Sequence, residues 1–519
     1  MSMLTYPDVP LHALMQATAR RYPTRVAIRY HNRTLSFEEF DRQSNRLANA
    51  VLSVGVVAGD RIALFLPNCP EYELAFYAAS KVGAVACPVN PSCRELELTR
   101  QLDDLGVAGV LTHELLLPII IGSQRQWPTA RHVVVVAEDA YALPTGLRSF
   151  ASITAAEPDL PPPCRVNPDQ LVALPYSSGT TGLPKGVMLT HRNLVSNHIQ
   201  FGTGCQLGPD DKFLVYLPLS HIYGVALMGL ALWAGAEQIL LERFELSTVA
   251  RLVEEHAVTW LHVVPPVLLA LAESRDIDPG QFRSIKYALS AAAPLAPELA
   301  RRVTERFGFP VIQAYGLTET SPDTHLSPLE RARIKIESGG VPVADTEHRV
   351  VDLETGERTV PRGELGEILV RGPQVMSGYW NAPEETARVL RDGWFHTGDI
   401  GWIDNEGYVF IVDRKKEMIK YKGFSIAPAE LEAALLEHPD VADCAVIGVL
   451  DDEAGEIPKA FVVGRAGTTI DVGVISQFMA RRVAGYKQIR EWAVVSSIPR
   501  TPSGKILRRS LKELPAAGR

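Results

Sequence analysis

Tyr176-Ser-Ser-Gly-Thr-Thr-Gly-Leu-Pro-Lys185-Gly186 is the stretch on which the reading of this chain turns. Ahead of it, Leu171-Val-Ala-Leu174 is a short apolar run that predicts a buried strand. Behind it, Thr190 can cap a helix running through Arg192, Leu194 and Ile199. Between them lie hydroxyl side chains, three glycines and one lysine. Glycine lets a backbone approach a ligand closely and take positive φ. Successive backbone N–H groups in such a turn form an anion nest. Ser177, Ser178, Thr180 and Thr181 add donors around Gly179, and Lys185 adds a point charge. A strand–loop–helix setting of this composition suits a polyphosphate. It is not a Walker A loop, because Pro184 stands where that motif has a glycine before its lysine. The competing reading is a polar surface turn.

Outward from the loop, the pattern is α/β. Residues 8–55 read as two helical pieces, the second opened by a Ser36/Glu39 capping box. Arg61–Leu66 and Ala84–Val89 predict buried strands around a helix from Glu71 to Val82 that ends at Gly83. Strand–helix–strand order predicts a parallel layer. His132–Val136 is a further strand, and the Pro-rich residues 158–168 a surface connection. Strands and helices then alternate from Phe213 to Tyr315. After Gly340, short β-like runs between Gly and Pro turns predict a β subdomain. Beyond Asp413 the pattern becomes a small α+β unit. The expected organisation is a large N-terminal domain (1–413) of α/β subdomains plus a β subdomain, and a small mobile C-terminal domain (414–519).

Composition excludes several classes. The chain has 519 residues, 46% hydrophobic and 22% charged, with net charge −8. That suits a soluble protein and opposes bulk attraction to nucleic acid or anionic membrane. No apolar run is long enough to span a bilayer. The six cysteines form no metal-ligand spacing and read as reduced, mostly buried thiols of a cytoplasmic protein. The oligomeric state is left open, a homodimer included.

Four further constellations carry chemistry. In Gln313-Ala-Tyr-Gly-Leu-Thr-Glu319, Tyr315 offers a stacking face, Thr318 a donor and Glu319 a hard oxygen for Mg²⁺. A core-packed turn is the competing reading. In His396-Thr-Gly-Asp399, the carboxylate can accept both hydroxyls of a ribose, although an Asx-turn explains a single Asp as well. Asp413 to Gly423 is dense in Arg and Lys, which fits either a solvated face or a mobile basic linker. Arg500-Thr-Pro-Ser-Gly-Lys505 presents a lysine on a turn near the C-terminus.

In this order and at these distances, the motifs resemble those of the acyl-adenylate-forming superfamily over essentially the whole chain. That superfamily includes acyl-CoA synthetases, 4-coumarate–CoA ligases, firefly luciferase and peptide-synthetase adenylation domains. Asp413-Arg-Lys-Lys-Glu-Met-Ile-Lys-Tyr-Lys-Gly423 is most similar to the fatty acyl-CoA synthetase and 4-coumarate–CoA ligase branch. The resemblance implies ATP, Mg²⁺ and CoA as cofactors and a hydrophobic carboxylic acid as substrate, medium- or long-chain or aryl-propenoic, with a place in fatty acid metabolism among its implications. It implies that Ser177, Ser178, Gly179, Thr180, Thr181 and Lys185 hold the β- and γ-phosphates. Gln313, Ala314 and Tyr315 would meet adenine, Thr318 the α-phosphate, Asp399 and Arg414 the ribose, and Glu319 would support Mg²⁺. Lys416 matches the hinge position, and Lys505 bridges carboxylate and α-phosphate during adenylation. Lys420, Lys422 and Gly423 would face the thioester-forming site, with Arg243 where coumarate ligases carry a CoA-binding Lys. His221 and Tyr223 in Pro218-Leu-Ser-His-Ile-Tyr223, with Ala291, Gly316 and Asp323, would form the acyl pocket. Ala291 replaces a pocket glycine. Asp323 stands where family members commonly carry an apolar residue, which opposes a plain aliphatic tail unless the carboxylate is paired or turned away. The segment Leu217–Tyr223 lacks the Asp that meets the amine of an amino-acid substrate. The rival readings are an enzyme that loads a carrier protein, a luciferase-like oxidase, and a non-catalytic homologue; intact Lys185, Glu319 and Lys505 oppose the last.

Overall fold

The chain is described by a computed structural model covering residues 4–123, 132–137, 143–177, 184–415, 417–421, 424–451, 454–483, 485–501 and 504–512. Two nine-stranded sheets frame the large N-terminal domain. In the first, Arg61–Phe65 runs parallel to Val85–Pro88 on one side and Gly109–His113 on the other. Leu171–Ala173 joins this layer in parallel and carries the antiparallel strand Lys185–Thr190. In the second, Glu237–Leu240, Lys212–Val215, Trp260–Val263, Tyr287–Ser290 and Val311–Gly316 are parallel neighbours in that order. Val311–Gly316 then pairs antiparallel with Asp323–Leu326.

Local signals explain where the helices begin and end. Ser36 and Glu39 close a full capping box on Phe37–Ser53, and the Thr190 hydroxyl accepts from the Asn193 N–H at the head of His191–Gly204. Each such cap is worth about 1 kcal/mol. Gly83, at φ 74°, ends Pro70–Val82 in the left-handed conformation that glycine adopts without strain. Ile222–Ala234 carries no charge and is buried along nearly its whole length, as a helix without a polar face must be. Pro70–Val82 is also buried throughout, although it carries Glu71, Glu73 and Lys81. These charges meet Arg33, Gln238 and Asp41 respectively. With Leu11–Arg21, Phe37–Ser53 and His191–Gly204, these helices pack into one core shared by both sheets.

Two expectations about local structure are corrected. Residues 8–55 are not simply two helices. A hairpin, Val26–Tyr30 with Arg33–Ser36, separates them, because Val26–Tyr30 completes the second sheet beside Glu237–Leu240. That partner lies about two hundred residues away, outside any window of periodicity. The phosphate-type loop is likewise not a strand–loop–helix. Tyr176–Ser177 pairs antiparallel with Lys185–Gly186, so the loop tops a hairpin, and Lys185–Thr190 is also paired with Gly378–Tyr379.

A third, five-stranded antiparallel sheet contains Glu347–Val351, Gly366–Arg371, Trp394–Ile403 and Val409–Arg414. It is the expected β subdomain. The smaller C-terminal unit has its own sheet, built on the long pair Val441–Asp451 and Gly455–Gly464, with the helices Pro428–Leu436 and Val472–Ala480 closing a separate core. An ion pair of 3.0 Å between Arg465 and Glu273 links this unit to the large domain. All six cysteines are free thiols, four of them buried. No helix among the described residues is long and apolar enough to cross a membrane.

Candidate active site

One cavity of about 650 Å³ opens where the three large-domain sheets and the C-terminal unit meet. The strand Val311–Gly316 reaches it with Gly316, and the following turn Thr318–Thr320 adds Thr318 and Glu319 to its lining, whereas Gln313, Ala314 and Tyr315 of the same strand stand behind that lining. Gly316 is required here. A Cβ on it would lie 2.0 Å from the Pro322 carbonyl oxygen, because the chain doubles back at once into Asp323–Leu326.

On the phosphate-loop side, Ser177 Oγ donates to Glu319 Oε1 at 2.9 Å, and the Tyr379 hydroxyl donates to the same oxygen at 2.9 Å. The loop stem, the Glu319 turn and the strand Gly378–Tyr379 are thereby held together. Tyr379 was invisible to the motif reading, since nothing in Ser377-Gly-Tyr-Trp380 marks a site; only its pairing with Lys185–Thr190 brings it there. Lys185 lies at the foot of the loop, 2.5 Å from Glu385 and 5.4 Å from the centroid of the Tyr379 ring. Ser178, Gly179, Thr180 and Thr181 lie outside the described residues.

The ribose-type pair is set by strand register. Asp399 and Arg414 face one another across Trp394–Ile403 and Val409–Arg414, and Arg414 Nε sits 2.5 Å from Asp399 Oδ1. The Tyr315 hydroxyl donates to Asp399 Oδ2 at 2.7 Å. Asp399 is thus a buried strand residue, not an Asx-turn, and Arg414 belongs to the site, not to a solvated face. Burial raises the Asp399 carboxyl, while Arg414 pulls it back toward the ionised form. Beside it, Lys415 Nζ lies 2.9 Å from Glu367 Oε2, and both line the cavity. Burial pushes Glu367 up, but His396 and Lys415 outweigh it and bring the carboxyl down to about 2.

The residues expected at the acyl group, His221, Tyr223, Ala291, Gly316 and Asp323, all line the cavity, together with Pro218. His221 caps Ile222–Ala234, its Nδ1 accepting the Tyr223 N–H at 3.2 Å. That bond assigns the proton to Nε2, and burial together with the Lys505 charge lowers the imidazole to about 4. His221 is therefore a neutral donor near pH 7. The Tyr223 hydroxyl donates to the Leu289 carbonyl at 3.1 Å, which fixes the ring as wall. Asp323 is 6% exposed, and burial lifts its carboxyl to about 8.

The C-terminal unit contributes Thr501 and Lys505 to the same cavity. The Lys505 N–H donates to Thr501 Oγ1 at 3.1 Å, and Gly504, at φ 82°, lets this turn press against Pro266 of the large domain. The residues expected to meet CoA are described only in part. Arg243 is exposed and lies off the cavity lining, and Lys420 sits on the strand Ile419–Tyr421 of the C-terminal sheet. Lys422 and Gly423, with Lys416, expected at the hinge, lie outside the described residues.

Comparison with known proteins agrees with this arrangement. Residues 15–380 match the model of the AMP-binding enzyme family, and residues 430–505 that of the AMP-binding enzyme C-terminal domain. The chain is 38% identical over 522 residues to 4-coumarate–CoA ligase 1 of Solanum tuberosum, covering 98% of this chain and 94% of that one. It is 41% identical over 496 residues to 4-coumarate–CoA ligase 5 of Oryza sativa subsp. japonica, covering 93% and 90%. The anthranilate CoA ligase AuaEII, solved with anthranoyl-AMP, superposes with a TM-score of 0.91 at 25% identity, over 98% of both chains. ATP-bound MatB from Rhodopseudomonas palustris superposes with a TM-score of 0.89 at 29% identity, over 97% of this chain and 99% of that one. The chain belongs to the AMP-binding enzyme family, in both its large domain and its C-terminal domain.

Proposed function

We infer that the protein is an AMP-forming acid–CoA ligase. The observation that carries this reading is the meeting of Lys505, from the C-terminal unit, with Thr318 and His221 of the large domain on one cavity. A carboxylate is a poor acylating agent, and activation needs its oxygen held against a phosphate whose charge is neutralised. In the first half-reaction a carboxylate oxygen attacks the α-phosphorus of ATP, the bond from that phosphorus to the β-bridging oxygen breaks, and pyrophosphate leaves. Lys505 spans the carboxylate and α-phosphate, Thr318 donates to the α-phosphate, and neutral His221 donates from Nε2 to the acid. In the second half-reaction the CoA thiolate attacks the acyl carbon and AMP leaves. We assign residues 1–413 and 414–519 as the two working units, with the hinge at Lys416. Rotation would withdraw Lys505 and bring Lys420, Lys422 and Gly423 to the thioester site, with Arg243 available to a CoA phosphate.

The ATP site follows the same logic. Ser177 to Thr181 and Lys185 cradle the β- and γ-phosphates, with Lys185 exchanging Glu385 for phosphate oxygens. Gln313, Ala314 and Tyr315 receive adenine, and Asp399 with Arg414 receives the ribose. Among the described residues no group of three or more side chains could hold a metal alone. Glu319 fits Mg²⁺ in the usual manner for this ion, one protein carboxylate sharing it with phosphate oxygens. Bound there, Mg²⁺ would supply neutralising charge to the phosphates. The names of the relatives favour an aryl-propenoic acid over a fatty acid.

The test is a panel of aryl-propenoic and fatty acids, assayed for pyrophosphate and for thioester with and without CoA. Thioester that depends on both ATP and CoA is the expected result; pyrophosphate release that never yields a thioester overturns the CoA reading. In the same assay Lys505→Ala should lose at least about 100-fold in adenylation. It should retain thioester formation from supplied acyl-AMP, and equal loss of both steps contradicts the role given to Lys505.

A further inference from the structure

Asp323 opens the strand Asp323–Leu326, and its backbone is clamped from both sides by one side chain. Asn197 Nδ2 donates to the Asp323 carbonyl at 2.7 Å, and Asn197 Oδ1 accepts the Asp323 N–H at 3.2 Å. The residue is therefore held in place without using its own carboxyl. Asp323 lines the cavity next to Pro322 and near Tyr223, and among the described residues its carboxyl has no hydrogen bond and no ion pair. The Tyr223 hydroxyl could have served as donor, but it is committed to Leu289.

An unmet carboxyl in a wall of Ile222, Ala291, Ala292 and Pro322 is costly, and an apolar side chain would close that wall better against a plain hydrocarbon. Every other buried carboxyl that lines the cavity has a partner: Glu319 accepts from Ser177 and Tyr379, and Glu367 meets Lys415. Asp323 alone awaits one, and it lies on the acyl side of Gly316, across which its strand is paired. A site built to hydrogen-bond a substrate group rejects the analogue that lacks it, because the buried protein group then stays unpaired.

We propose that Asp323 receives a hydrogen-bond donor carried by the acyl portion of the substrate, so that the acid is a hydroxy- or amino-substituted one and not a plain hydrocarbon acid. The inference rests on the ligase reading and deepens it. The carboxylate end of the acid meets Lys505 and His221, and its distal donor meets Asp323. Specificity is then set at both ends, and Tyr223, Ala291 and Gly316 shape the space between.

The test uses the full-length enzyme and matched acids: cinnamate with its hydroxy and amino derivatives, and an alkanoate with its ω-hydroxy and ω-amino derivatives. Wild type should prefer the best donor-bearing acid over its plain partner by about 10- to 100-fold in kcat/KM. Asp323→Val should abolish or invert that ratio, chiefly by lowering kcat/KM for the donor-bearing acid. Asp323→Asn, which keeps an acceptor oxygen, should retain part of it. The hydroxy and amino arms identify which donor the site takes. A wild-type preference for the plain acid, or a ratio unchanged in Asp323→Val, overturns the proposal while leaving the ligase reading intact. If no acid yields a CoA-dependent thioester, the ligase reading fails, and calorimetric binding of the same acids still decides about Asp323. Tighter binding of the donor-bearing acid that is lost in Asp323→Val supports it, and equal binding overturns it.

Discussion

Lys81 and Asp323 are both ionisable and both buried, and they have been treated in opposite ways. Lys81 has a side chain only 1% exposed, and its ammonium is surrounded by acceptors. It donates to the Asp41 carboxylate at 2.6 Å, to Ser44 Oγ at 2.7 Å and to Asn45 Oδ1 at 2.6 Å. Burial pulls it down to about 8, and the Asp41 carboxylate partly restores it. It ties Pro70–Val82 to Phe37–Ser53, off the cavity lining. Asp323 lines the cavity and has no such shell. An ionisable group whose protein partners complete it is a structural node; one left incomplete beside a cavity is an opening for a ligand.

Three substitutions test that contrast, in decreasing order of effect. Lys81→Met strands Asp41, Ser44 and Asn45 without their donor and should cost about 3 kcal/mol in urea unfolding. The folded fraction should keep its kcat and KM, and a small cost would show that the node is dispensable. Asn197→Leu removes the clamp on the Asp323 backbone, leaving the buried N–H unmet and the carbonyl with only the long 3.5 Å bond from Gln374 Nε2, at about 2 kcal/mol. It should also narrow the difference in kcat/KM between donor-bearing and plain acids, whereas a pure loss of stability would deny Asn197 a positioning role.

Asp323→Val should have the smallest effect and the opposite sign, a gain of about 1 kcal/mol at pH 8.5. The folded-state carboxyl sits at about 8, above its ordinary value, so the folded protein binds the proton more tightly than the unfolded chain. Wild-type stability from this group is complete at low pH and is lost as pH rises through 8. The gain in the variant should therefore shrink between pH 8.5 and pH 5, and a gain independent of pH would show that the Asp323 carboxyl is not strained by burial.

How much of this was legible in advance differs between the two ends of the cavity. Among the residues expected to meet the nucleotide, Tyr315, Asp399, Arg414 and Lys505 could each be singled out, because each sits in a motif whose spacing resembles the family pattern. Their union could not. Tyr315 and Asp399 share a hydrogen bond across 84 positions, and Arg414 meets Asp399 through the register of two antiparallel strands. The turn chemistry of Ser36, Gly83 and Thr190 was readable because a cap is a contact between near neighbours in sequence. The hairpin Val26–Tyr30/Arg33–Ser36 and the strand Lys185–Thr190 were not, since both are held by partners from distant segments.

By itself, the sequence determined the alternation of elements, the capped helix ends and the identity of the chemical groups along the motifs. These follow from periodicity, backbone preference and side-chain chemistry, all of which act over a few residues. Only the tertiary structure decided that Arg243 stands off the cavity lining, that Tyr379 supports Glu319, and that Asp323 joins that lining with no partner for its carboxyl among the described residues. Burial and pairing depend on what the distant chain brings alongside, which a local stretch of sequence does not contain.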